Sequence, residues 1–114
     1  MAISQPRPEA VVLSLTGEVD LERSPDLQVT LQEAFGLLRG KGAVVVDLSQ
    51  VTYMDSSGVA TLVRGLQLSR KKGVGLVLCS LQDRVRSIFE IARLDTVFPI
   101  ASTLEEAIDT ASAV

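Results

Sequence analysis

The sequence predicts an α/β fold: one open sheet of about four to five strands, mostly parallel or mixed, with about four helices alternating along the chain. Three observations carry this. Strand-length apolar runs alternate with segments of helical periodicity, glycine and proline mark the joins, and no linker or low-complexity stretch divides the 114 residues.

The elements follow in order. Residues 1–9, with Pro6 and Pro8, read as a loose arm that adds at most a short edge strand. Val11 to Thr16 reads as a strand, and 17–24 as the loop after it, closing with Ser24 as N-cap and Pro25 at the first helical position. Leu27, Leu31, Phe35 and Leu38 recur at helical spacing, and Gly40 and Gly42 stop that helix. Ala43 to Asp47 is a short, continuous apolar run of the kind buried on both faces of a sheet.

After the segment 51–58 comes a second helix. Val59, Leu62, Val63 and Leu66 form its inner stripe, and Arg64, Gln67 and Lys71 its outer face. Arg70, Lys71 and Lys72 suit its negative C-terminal end, and Gly73 suits a left-handed cap. Val74 to Ser80 reads as a third strand, followed by a helix from about Asp83 with Val85, Ile88, Phe89 and Ala92 inward. Val97 to Ile100 reads as a short fourth strand, whose Pro99 confines it to an edge or a strand end. The last helix opens on Ser102-Thr-Leu-Glu105, read as a capping box, and buries Leu104, Ala107, Ile108 and Ala111.

Composition narrows the function classes. A chain of 114 residues with 46% hydrophobic content can bury a core without staples. Its formal charge of −3, from 11 basic and 14 acidic residues, offers no broad cationic field for nucleic acid or anionic lipid. The one cysteine, Cys79, lies in an apolar strand and reads as core. No apolar run approaches a membrane span and the start is unlike a signal peptide, so the expected location is cytoplasmic.

If the strands starting at Val11, Ala43 and Val74 run parallel, the loops 17–24, 49–57 and 80–83 emerge together at the carboxyl edge, where such sheets place their sites. Val51-Thr-Tyr-Met-Asp-Ser-Ser-Gly58 is the richest of these segments, with a carboxylate and two hydroxyls where a strand gives way to a helix. A helix start offers unpaired N–H groups and a positive dipole end, which favour anions. With no histidine in the chain, no Ser-His-Asp triad can form, and the G-x-S-x-G elbow is absent. Both phosphate-loop motifs are missing and the carboxylates are scattered, so neither a nucleotide, a metal nor another cofactor is expected.

Plain capping accounts for Asp55, Ser56 and Ser57 locally, yet one cap satisfies a helix and three capping-type residues stand in a row. Residue type alone does not choose between the serines. Glu18, Asp20 and Glu22 make an acidic loop, either a solvated turn or part of a docking surface for a basic partner.

These residues match a known pattern. Through Leu15-Thr-Gly-Glu-Val-Asp20, Val45-Val-Asp-Leu-Ser49, Tyr53-Met-Asp-Ser-Ser-Gly58 and Val85-Arg-Ser-Ile-Phe89, the chain resembles the STAS-domain anti-sigma factor antagonists of bacteria over nearly its whole length. The resemblance implies a single STAS domain over 1–114 that captures an anti-sigma factor serine kinase and frees the sigma factor. It implies release on phosphorylation of Ser56, and restoration by a serine phosphatase. It makes Asp55 the carboxylate before the acceptor and assigns Glu18, Asp20, Asp55, Ser57 and Gly58 to the partner-binding region. A STAS docking module without a phosphoswitch, in a signalling scaffold or a lipid-transport complex, is the alternative. Oligomeric state is left open. Two departures stand out: Val59-Ala60 follows the motif where many relatives have Leu-Gly, and Arg93 precedes Leu94 where relatives often have glycine.

Overall fold

The computed structural model describes residues 1–113. The chain runs β1 (Ala2–Arg7), β2 (Ala10–Val19), α1 (Ser24–Gly36), β3 (Ala43–Met54), α2 (Ser56–Lys72), β4 (Gly75–Cys79), α3 (Asp83–Ile91), β5 (Ile100–Ala101) and α4 (Leu104–Ser112). The five strands form one mixed sheet in sequence order. β1 is antiparallel to β2, and every later pairing is parallel. The alternating architecture expected from the sequence is therefore present, and the arm at 1–9 resolves into an edge strand. Pro6 is tolerated there because an edge strand needs no ladder bond on its outer side.

Because each crossover steps to the next strand in the same direction, crossovers of one hand place α1, α2 and α3 on the same face. Val11, Leu13, Leu15, Val44, Val46, Leu48, Leu76 and Leu78 meet Leu27, Leu31, Phe35, Leu62, Leu66, Val85 and Phe89 there. The other face carries smaller side chains, Ala10, Val12, Ala43, Val45, Val77 and Cys79, under Ala107 and Ala111 of α4. Strict alternation along Ala43 to Val46 thus feeds both cores, which is why that run is apolar throughout. Burial pushes the Cys79 thiol up to about 11, as a core thiol requires.

Several boundaries differ from those expected. β2 and β3 run on to Val19 and Met54, well past Thr16 and Asp47. Their pairing absorbs two register shifts, between Ser14 and Thr16 and between Gly17 and Glu18. Such bulges accommodate Asp47, Ser49 and Gln50 without ending the ladder, and Gly17, beside the second one, has a positive φ of 76°.

The N-cap of α1 is Arg23, and Ser24 is already helical, because Asp20 holds the preceding turn. The capping residue of α4 is Thr103, whose hydroxyl accepts from Glu106 N at 3.1 Å. The Glu106 carboxylate in turn accepts from Ser102 N at 3.1 Å, so the cap falls one residue later than Ser102-to-Glu105. Residues 97–99 are turn rather than strand, and β5 is only Ile100–Ala101. Ala92 is exposed, as the C-cap of α3 and not part of its inner face.

Candidate functional site

Only Asp55 separates the end of β3 from the start of α2. Its backbone is extended, with φ −97° and ψ −177°, so the side chain can fold back over the helix start. Oδ1 accepts from Ser57 N at 2.9 Å, Gly58 N at 3.2 Å and Ser57 Oγ at 2.5 Å. Oδ2 accepts from Leu21 N at 3.2 Å, across the gap to the loop after β2. The Ser57 hydroxyl, with the Gly58, Ser57 and Leu21 amides, holds the Asp55 carboxyl below its ordinary value against the opposing effect of desolvation. Asp55 is therefore ionised at neutral pH and fully engaged.

The two serines divide. Ser57 is half-buried and donates to Asp55, so the Ser24 hydroxyl 3.1 Å away must supply the proton for their mutual contact. Ser24 also lies 2.8 Å from the Asp20 carbonyl and shares its one proton between the two acceptors. Ser56, at the first helical position of α2, is exposed, and its hydroxyl makes no hydrogen bond among the described residues. It also lacks a base: the one adjacent carboxylate is engaged with α2 and Leu21. An unactivated, accessible hydroxyl suits a substrate for another enzyme better than a nucleophile of its own.

Gly58 lies beneath the surface. A Cβ there would sit 2.9 Å from Met54 Cγ, from Val19 Cγ1 and from the Val19 carbonyl oxygen, so only glycine lets α2 begin against the ends of β2 and β3. Buried Gly58 thus has a packing role beside its expected place in the partner-binding region.

The acidic loop is equally specific. The Asp20 carbonyl accepts from Arg23 N at 3.2 Å and Ser24 N at 2.9 Å, and its Oδ1 from Arg23 N at 3.1 Å. The Arg23 guanidinium turns inward onto the carbonyls of Thr16, at 2.5 Å, and Glu18, at 2.7 Å. Asp20 thus shapes the turn, whereas Glu18 and Glu22 are exposed. Glu18 pairs in register with exposed Tyr53. The third loop joins through Gln82 Nε2, which donates to the Ser49 carbonyl at 2.8 Å.

The loop after β2 and the 55–58 turn are therefore neighbours, as the parallel topology implies, whereas the third loop meets β3 at Ser49, short of its end at Met54. Leu21, 74% exposed in their midst, escapes a reading of the sequence, although an apolar residue inside an acidic turn is the available signal.

A groove of 160 Å³ between α1 and α2, lined by residues such as Gln28, Leu31, Thr61 and Arg64, does not include the 55–58 turn. Among the described residues no group of histidine, cysteine, aspartate and glutamate could hold a metal ion. Among the same residues no helix is long and apolar enough to cross a membrane. The site is an exposed edge.

A single alternating domain with a capped strand-to-helix turn at its carboxyl edge defines a class of small α/β module. The chain belongs to the STAS domain family, whose model matches residues 2–107. It is 33% identical over 88 residues to the anti-sigma-B factor antagonist of Listeria monocytogenes, covering 75% of this chain and 74% of that protein. To the anti-sigma-B factor antagonist of Bacillus subtilis it is 29% identical over 96 residues, covering 83% and 84%. It is also 30% identical over 82 residues to MlaB of Escherichia coli, an intermembrane phospholipid transport system binding protein, covering 72% and 79%. The fold matches a STAS-domain structure from Planctomyces limnophilus with a TM-score of 0.85 at 21% identity, covering 97% of both chains.

Proposed function

We propose that this protein is a cytoplasmic, non-enzymatic anti-sigma factor antagonist. Its unphosphorylated form binds an anti-sigma factor serine kinase and thereby releases the sigma factor, and phosphorylation of Ser56 ends the complex until a serine phosphatase removes the group. The observation that supports this most is the division of labour in the turn: Ser57 is held by Asp55 while Ser56 stands exposed and unbonded among the described residues.

Electrostatics supply the switch. A phosphoserine adds roughly −1.5 to −2 charges at neutral pH. Here it would stand beside ionised Asp55, whose Oδ1 already takes the Ser57 and Gly58 amides that a helix start would otherwise offer an anion. The added charge therefore stays at the surface, near Glu18 and Glu22, and repels a partner fitted to the unmodified edge. A coupling of about 3 kcal/mol is enough for a change on the order of a hundredfold in affinity.

The test is a pull-down of the cognate anti-sigma kinase with its sigma factor. Wild-type protein should capture the kinase and release the sigma factor, and Ser56→Asp should do neither. Equal capture by both proteins would refute the switch. The similarity to MlaB favours a second reading, a docking subunit of a phospholipid transport complex with no phosphoswitch. Neighbouring genes separate the two: a kinase and sigma factor for the first, transporter subunits for the second.

A further inference from the structure

Leu21 is 74% exposed at the tip of the 20–24 turn, and its backbone leaves it little freedom to turn inward. Its amide is fixed on Asp55 Oδ2 at 3.2 Å. On its two sides, the Asp20 carbonyl binds the Arg23 and Ser24 amides, and the Arg23 guanidinium clamps the Thr16 and Glu18 carbonyls. A leucine held outward on a braced turn is pre-organised for contact, since little ordering entropy remains to be lost on binding.

Its surroundings carry one sign of charge. Glu18, Glu22 and Asp26 are exposed and Asp55 is ionised, while Arg23, the nearby cation, directs its guanidinium to backbone carbonyls. An apolar tip ringed by carboxylates is complementary to an apolar pocket ringed by arginine or lysine.

We infer that Leu21 is the apolar anchor of the surface by which this edge docks its protein partner, and that the partner offers a hydrophobic pocket with a basic rim. This rests on the reading of the carboxyl edge as the kinase-binding surface and adds the side chain that supplies its hydrophobic contact. Ser56 reports the state of the edge, and Asp55 ties the two together: it precedes Ser56 in the chain and holds the Leu21 amide.

The experiment is titration calorimetry of the full chain against the purified cognate anti-sigma kinase, using wild type, Leu21→Ala, Leu21→Met and Val29→Ala. Val29 is 55% exposed on α1 and serves as the control for loss of an apolar surface side chain. Leu21→Ala should weaken binding about tenfold or more. Leu21→Met should retain affinity and Val29→Ala should leave it unchanged. All variants should keep the wild-type thermal midpoint, because an exposed side chain contributes little to the core. Binding by Leu21→Ala within about twofold of wild type would overturn the anchor while leaving the kinase-binding reading intact. Failure of wild type to bind the kinase would overturn both. Self-association that is lost in Leu21→Ala while kinase binding persists would assign the leucine to a second copy of the chain and also overturn the inference.

Discussion

The Ser57 hydroxyl lies 2.5 Å from Oδ1 of Asp55, so the second serine of the turn is committed to the cap and the first is not. That one contact separates two residues whose types are identical and whose positions differ by a single step. It follows that the turn combines a rigid part, Asp55 with Ser57 and the α2 amides, and a chemically available part, Ser56.

The rigid part makes a pH prediction. The folded-state pKa of Asp55 is depressed, chiefly by the Ser57 hydroxyl. Its ionised form therefore stabilises the fold at every pH above the ordinary carboxylate value near ~4, and this contribution is lost as pH falls through the lower folded-state value. Asp55→Asn should be less stable than wild type at neutral pH, with the gap closing in acid. Denaturant melts across pH would show it, and a gap independent of pH would count against the charge as the cause.

Gly58 makes a packing prediction. A methyl group at this position would stand 2.9 Å from side-chain carbons of both Val19 and Met54, so Gly58→Ala must push α2 away from the strand ends. Overpacking of this kind costs about 1–3 kcal/mol, or a fall of roughly 5–15 °C in the thermal midpoint. An unchanged midpoint would mean that the helix start has room to move.

Arg93 makes a stabilising prediction. It closes α3 with φ +59°, donating its amide to Glu90 O at 3.0 Å while Leu94 N reaches Phe89 O at 2.8 Å. The same Schellman geometry closes α2 through Gly73, at φ 73°, with bonds to Arg70 O and Ser69 O. Arginine in this conformation is strained where glycine is not, so Arg93→Gly should stabilise the protein by about 0.5–1 kcal/mol after the greater freedom of an unfolded glycine is subtracted. Thermal melts would reveal a higher midpoint, and a lower one would show that the arginine side chain contributes more than its backbone costs.

The alternating architecture was legible because helical periodicity, as in Leu27, Leu31 and Phe35, and continuous apolar runs, as in Ala43 to Val46, are set by burial, which the sequence records directly. Strand ends were less legible. Residues 47–53 include five polar or half-exposed positions in Asp47, Ser49, Gln50, Thr52 and Tyr53, yet the strand continues through them: Asp47, Gln50 and Tyr53 stay paired with β2 and the register shifts absorb Ser49 and Thr52, because the ladder depends on backbone bonds and bulges and not on side-chain pattern. The α4 cap shifted by one because Ser102 and Thr103 are both capping types and each has a glutamate three residues on, Glu105 and Glu106, so the sequence holds two overlapping capping boxes. At the site, the sequence marked the turn but not the partition of Ser56 from Ser57. The contact that makes it, Ser57 to Asp55, is local but is a matter of side-chain orientation, and Ser24 reaches Ser57 from α1 across 33 residues of sequence.

The most direct measurement is the intact mass of the protein after incubation with its cognate anti-sigma kinase and ATP, comparing wild type, Ser56→Ala and Ser57→Ala. Wild type and Ser57→Ala should each gain one phosphoryl group, and Ser56→Ala none. A phosphoryl group on Ser56→Ala, or its absence from wild type, would contradict the assignment of Ser56 as the switch.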